Sequence, residues 1–231
     1  MANVLIVLSA ADKWTRADGS TYESGVWAEE LVLLDEALIE AGFRVDIATP
    51  GGVPPTIDAR SLAPKIVGQA HADHFRGHLA RNAARLKTPL VLAAVEAGGY
   101  DAIVIPGGHG PVEDLYRDPD MGRILVQASR APTVIASVCH GPAAFLAAED
   151  ENGRWPFAGR RMTSFSDEEE VEFGTAENAP WLLADTLRKR GAVYEKGPNW
   201  GAFIVRDDNL LTGQNPASTA MLAAAVVEAL R

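Results

Sequence analysis

Val4-Leu5-Ile6-Val7-Leu8 leaves a strand no polar face. Five consecutive apolar residues make a strand that must be covered on both sides, which is the habit of parallel sheets in α/β proteins. Ala102-Ile103-Val104-Ile105 and Val134-Ile135-Ala136 have the same character. Alternating residues 43–50 read as a further strand, and shorter ones are expected at 160–165, 192–196, 203–206 and 210–212. Helical patterns fall between them, at residues 25–41, 180–190 and 218–230 among others. Strands alternating with helices predict an α/β fold, a mostly parallel sheet sandwiched by helices. At 231 residues the chain suits one domain, 1–231, with a full-sized core. Residues 54–95 are more polar and read as a small helical insertion or cap.

The third apolar run leads into Ser137-Val138-Cys139-His140-Gly141-Pro142-Ala143-Ala144. Pro142 fits a first helical turn, where a missing N–H costs nothing. Cys139 is the only cysteine of the chain and stands at this strand-to-helix elbow. Free backbone N–H groups there favour an anion, so its thiol is expected to ionise below the ~8.5 of a free cysteine. A single cysteine also rules out an internal disulfide and fits a reducing cytoplasm.

A partner for the thiol is legible in the first helix. Its apolar stripe runs through Val26, Trp27, Leu31, Leu34, Ala37, Leu38 and Ala41, and Glu30 falls inside it. A carboxyl on an apolar face needs a partner, a raised pKa, or both. Asp35 and Glu36 point away from the stripe.

Gly107-Gly108-His109-Gly110-Pro111 follows the second buried run. It lacks the Lys-Ser/Thr of a phosphate loop but could aim N–H groups at a developing oxyanion. His71, His74 and His78 share one helical face, expected to be solvated and without metal. A net charge of −10 argues against nucleic acid or an anionic membrane as partner. No basic or long apolar segment opens the chain, so a cytoplasmic protein with neither signal peptide nor membrane span is expected.

Pro106-Gly107-Gly108-His109-Gly110, Ser137-Val138-Cys139-His140-Gly141-Pro142 and Thr212-Gly213-Gln214-Asn215-Pro216-Ala217-Ser218 occur in that order, with Ser24-Gly25-Val26-Trp27-Ala28-Glu29-Glu30 upstream. Together they resemble the PfpI-like, or class I glutamine amidotransferase-like, superfamily, nearest its heat-shock chaperone and glyoxalase III branch. The resemblance implies a flavodoxin-like fold and a homodimer. It implies Cys139 as nucleophile, Glu30 as its acidic partner, His140 as the accompanying histidine and Glu170 as the acid that orients it. Ser164 stands where that pattern has glycine, and Glu168 and Glu169 where it has small or apolar residues, so the choice among Glu168, Glu169 and Glu170 is open. Gly108 and the backbone of His140 would form the oxyanion hole, with Gly107, His109, Asn215 and Trp200 as further substrate-pocket residues. The implied activity is glyoxalase chemistry without glutathione, metal or cofactor, turning a 2-oxoaldehyde such as methylglyoxal into lactate. A cysteine hydrolase (peptidase, amidase or deglycase) and a stress chaperone or redox sensor are the alternatives. Side chains of adjacent residues diverge in a strand and in a helix. His140 is therefore a poor direct base for Cys139 unless the elbow is strained, and Glu30 is the favoured proton shuttle.

Overall fold

A computed structural model describes all residues, 1–231. The three apolar runs form the middle of a seven-stranded sheet: β1 (Asn3–Val7), β6 (Ala102–Ile105) and β7 (Val134–Val138). β4 (Arg44–Thr49) and β5 (Leu90–Val91) extend it on one side, and β11 (Leu210–Gly213) and β10 (Ile204–Asp207) on the other. The order is β10-β11-β7-β6-β1-β4-β5. All neighbours are parallel except β10, which runs against β11.

Period-two alternation decides which core each side chain joins. Leu5, Val7, Ile103, Ile105 and Ile135 point into one apolar layer, which is completed by α5 (Pro119–Ser129), the 3-10 turns of Gly141–Ala147 and α7 (Leu183–Lys189). Val4, Ile6, Ala102, Val104, Val134, Ala136 and Val138 point into the other, under α1 (Ala28–Glu40) and α8 (Thr219–Ala229). The expected sandwich is thus present. The segment after Cys139, read as helix, is 3-10 instead: Pro142 supplies no N–H, and Gly141 packs so closely that a Cβ there would lie 2.3 Å from the Ile105 carbonyl oxygen.

Two additions surround the sheet. Residues 9–24 contain a small hairpin of β2 (Lys13–Thr15) and β3 (Thr21–Glu23). Residues 54–95 carry α2 (Pro64–Val67), α3 (Gln69–Arg81) and α4 (Ala83–Lys87) before rejoining the sheet at β5. These helices cover the polar side of α1. Asp35 does point away from the sheet, but not into water: it is 2 % exposed, accepting from Arg85 Nη1 at 3.0 Å and lying 2.9 Å from His78 Nε2. The solvated histidine face therefore holds for His71 and His74 only. His78 is 5 % exposed, with Glu36 on its other ring nitrogen at 3.0 Å. No helix is long and apolar enough to cross a membrane.

β4 lies to one side of β1 and β6 to the other, so the chain reverses its direction across the sheet between β1 and β6. Open α/β sheets place their ligand crevice beyond the strand ends at such a point.

Candidate active site

Four elements converge there. Cys139 follows β7 directly and takes φ 61°, the left-handed region that a non-glycine residue enters at a cost of roughly 1–2 kcal/mol. Neighbours hold it: its N–H donates to Gly213 O at 3.0 Å, and its carbonyl accepts from Phe165 N at 2.8 Å. The turn rotates His140 back toward the sulfur, and Sγ lies 3.3 Å from His140 Nδ1. The expectation that adjacency keeps the two apart is thereby corrected, because the elbow is strained.

Gly107 and Gly108 bring a second backbone in. A Cβ on Gly107 would sit 2.6 Å from His140 N, and one on Gly108, at φ +80°, would sit 2.1 Å from Gly25 O. Only glycine lets β6's end lie against both the elbow and the start of α1. Gly107 N–H donates to Glu30 Oε2 at 2.6 Å, so this donor is taken up by the carboxyl. The N–H groups of Gly108 and His140 are the ones that favour negative charge at the sulfur.

Glu30 is fully buried in the first turn of α1, and its Oε1 has no hydrogen-bond partner. Burial pushes its carboxyl up to about 8, against the pull of the Gly107 N–H and of Cys139. The thiol is also raised, by burial first and then by Glu30, and the Gly108 and His140 N–H groups only partly offset this. The expected low thiol pKa is therefore wrong for the resting site. The sequence showed the donors at the elbow but not the depth of burial, 4 % exposure. Below pH 8 the Glu30 carboxyl keeps its proton, which removes the like charge that opposes a thiolate.

Of the three consecutive glutamates on α6 (Asp167–Phe173), Glu170 is the one that reaches the histidines. His140 Nε2 lies 2.7 Å from its Oε2, and His109 Nε2 3.1 Å from its Oε1. Burial opposes its charge, yet the two imidazoles outweigh burial and hold the carboxyl far below its ordinary range. An ionised carboxylate can only accept, so both Nε2 atoms carry hydrogen, and the other ring nitrogen of His140, Nδ1, faces the thiol. Burial and the neighbouring His140 lower His109 to about 4. His109, His140 and Glu170 place ligand atoms within 4.8 Å of one another and are the group that could hold a metal; each imidazole already bonds the carboxylate. Glu168 is on the surface with Lys196, and Glu169 accepts from Ser166 N, Trp200 N and Asn215 Nδ2.

Cys139, His140, Gly108 and His109 line a cavity of about 30 Å³ with Trp27, Phe165, Phe173, Trp200 and Pro216. Larger clefts lie elsewhere, about 360 Å³ around Arg44 and Tyr100 and about 860 Å³ around Tyr22 and Arg60. Neither is lined by the cysteine or a histidine, so the small one is the candidate site. Trp200 is in the wall. Asn215 is not: its side chain donates to Glu169 Oε1 and Gly201 O and braces the wall from behind. Trp27 was read only as part of the apolar stripe, and Phe173 was not singled out, although it stands three residues from Glu170 and so on its helical face. Phe165 was part of an expected strand with no pocket role given to it.

A family model described as the DJ-1/PfpI family matches residues 22–229. The glutathione-independent glyoxalase HSP31 of Saccharomyces cerevisiae is 29% identical, over 99% of this chain and 98% of the relative. A protein/nucleic acid deglycase HchA of Pseudomonas aeruginosa is also 29% identical, over 87% of this chain and 72% of its own length. Among solved structures, the 24 kDa rapid encystment protein of Francisella tularensis superposes with a TM-score of 0.90 at 29% identity, covering 100% of both chains. Glyoxalase III of Candida albicans does so with a TM-score of 0.82 at 25% identity, over 99% of this chain and 97% of that one.

Proposed function

The chain belongs to the DJ-1/PfpI family, and from that membership we propose that it is a glutathione-independent glyoxalase acting on a small 2-oxoaldehyde such as methylglyoxal. The single observation that carries the reading is a fully buried carboxyl, Glu30, set beside the chain's one thiol, where burial pushes it up to about 8. A base that must take a proton from carbon and return it works best with its pKa near the operating pH.

The Cys139 sulfur adds to the aldehyde carbon. The S–C bond forms, the carbonyl π pair moves to oxygen, and the thiol proton travels through His140 Nδ1 to that oxygen. The N–H groups of Gly108 and His140 steady the oxyanion as it develops, by roughly 3–4 kcal/mol each where such donors are fully engaged. Ionised Glu30 then takes the hydrogen from the former aldehyde carbon; the released pair makes the carbon–carbon double bond, the neighbouring carbonyl's π pair moves to its oxygen, and the hydroxyl proton on the first carbon crosses to that oxygen. Glu30 returns its proton to the second carbon as the oxyanion on the first re-forms a carbonyl, which leaves a 2-hydroxy thioester on sulfur. Water adds to the thioester, the C–S bond breaks, sulfur recovers a proton, and the 2-hydroxy acid leaves. Glu170 keeps His140 in the tautomer that accepts from sulfur, and a homodimer of such sites remains part of the proposal.

One observation favours a second reading. Cys139, His140 and Glu170 stand at 3.3 and 2.7 Å, the geometry of a hydrolytic triad, so the adjacency objection to hydrolysis does not hold. Against it, the side chains of Trp27, Phe165, Phe173 and Trp200 crowd the space around Cys139. Purified protein and its Cys139→Ser and Glu30→Gln variants, given methylglyoxal or a methylglyoxal-modified N-acetyl-lysine, separate the two. The glyoxalase reading expects lactate from free methylglyoxal, lost in both variants. Lactate only from the modified amine, or full activity in Glu30→Gln, would overturn it.

A further inference from the structure

Eight of the nine residues around the cavity are buried or half-buried; Trp200, at 43 % exposure, is the one that faces solvent. Its ring meets Phe165 edge-on at 5.6 Å and leans on Phe173 at 6.1 Å, so it closes the outer side of the space above Cys139. The residue does not rest there by packing alone. Its backbone sits at φ 60°, a conformation that favours glycine, and is held by its own N–H donating to Glu169 Oε1 at 2.7 Å. Its indole N–H donates to Glu172, which also accepts from Asn199 at 2.7 Å. Asn215 donates to both Glu169 and the Gly201 carbonyl on the far side of the turn. Glu168 pairs with Lys196 where the turn begins, at 3.1 Å. The acidic run of α6 thus divides its work: Glu170 faces the two imidazoles, while Glu168, Glu169 and Glu172 grip the 196–201 turn.

We propose that Trp200 is a specificity-determining residue, the outer wall that limits the group attached to the reacting carbonyl to about the size of a methyl, with α6 fixing the wall in place. The inference rests on reading the cavity as the carbonyl site. It adds which residue sets the upper size limit and what holds that residue. The wall bears no charged side chain, so the excluded groups are bulky and apolar, and the discrimination is steric. Removal of a rigid aromatic wall relaxes such a limit by roughly one to two orders of magnitude.

Because Cys139 is the only cysteine, alkylation followed by intact mass reads access to the cavity whether or not turnover occurs. Wild type, Trp200→Ala and Glu172→Ala are each labelled with iodoacetamide and with the bulkier N-phenylmaleimide. The ratio of the two rates cancels any change in thiolate fraction. The ratio is expected to rise at least about tenfold toward the bulky reagent in Trp200→Ala, and by a smaller factor in Glu172→Ala, which frees the indole without removing it. The phenylglyoxal-to-methylglyoxal ratio of kcat/KM moves the same way. Should Trp200→Ala not fold, Glu172→Ala decides alone. A folded variant with both ratios within twofold of wild type overturns the proposal. Labelling ratios that shift in variants of a protein forming no lactate would keep the wall and sink the glyoxalase reading; lactate formed with unmoved ratios would do the reverse.

Discussion

Replacing Glu30 by glutamine should make the protein more stable while destroying its proposed activity. The carboxyl is fully buried and titrates at about 8 in the fold, against an ordinary 4.5 in the unfolded chain. The folded value is raised, so the proton binds the native state more tightly. The contribution to stability is intact below pH 4.5 and erodes as pH climbs toward 8. At pH 7 the unfolded carboxyl has released its proton and the folded one has not. Each pH unit of that difference costs about 1.4 kcal/mol, so the native state forfeits about 3 kcal/mol at pH 7 and on the order of 5 above pH 8. Glutamine cannot ionise in either state, and its side-chain oxygen can still accept the Gly107 N–H now held at 2.6 Å. Urea denaturation of the two proteins at pH 4.5, 6, 7 and 8 tests this. The gain of Glu30→Gln over wild type should be close to nothing at pH 4.5 and grow with each step to about 3 kcal/mol at neutrality. A stability difference that stays flat across this range would refute the reasoning, because a lost contact does not depend on pH and a suppressed ionisation must. Function at the expense of stability is what a base buried for its pKa demands.

Two further outcomes follow from the same groups. Lactate formation, if Glu30 must be ionised to take the carbon-bound proton, should rise close to tenfold per pH unit between 6 and 7 and level off above the carboxyl's value of about 8; a rate already flat at pH 6 would remove Glu30 from that step. Asp35→Ala strands His78 and Arg85 between α1 and the cap helices and should cost about 3 kcal/mol in urea at pH 7. Burial raises the Asp35 carboxyl, but His78 and Arg85 outweigh it and the net shift is downward. Its contribution is therefore present above the ordinary carboxylate pKa and lost in acid, and the deficit of the variant should shrink by pH 3.

The central strands and the position of the sulfur at a strand's end were legible because each depends on short-range pattern. Apolar runs at residues 4–8, 102–105 and 134–136 could only be strands covered on both faces, and both faces are covered. Glu30 was legible because a charge inside an apolar stripe violates the helix's own periodicity. What escaped depends on tertiary cover. Asp35 and His78 sit on faces that a helical wheel assigns to water, and only the docking of residues 64–87 against α1 makes them interior. The thiol's titration escaped for the same reason: the donors at the elbow were visible in the sequence, whereas burial, the larger effect, belongs to the assembled pocket.

The elbow itself shows how one torsion decides between chemistries. Were Cys139 extended, His140 would project to the opposite face of the strand, Glu30 alone would serve the sulfur, and hydrolytic chemistry would have no base. At φ 61° the chain reverses, Nδ1 comes within 3.3 Å of Sγ, and the same imidazole presents Nε2 to Glu170 at 2.7 Å. The thiol then has a base on one side that can take its proton and a neutral acid on the other that adds no charge. In the proposed mechanism these two neighbours divide the work between them: His140 serves the step that makes the S–C bond, and Glu30 serves the step that moves hydrogen between carbons. With His140 alone, that mechanism could only open or close bonds at the carbonyl. Under the proposal it is the second group, its carboxyl pushed up to about 8 by burial, that lets a 2-oxoaldehyde rearrange without any external hydride donor.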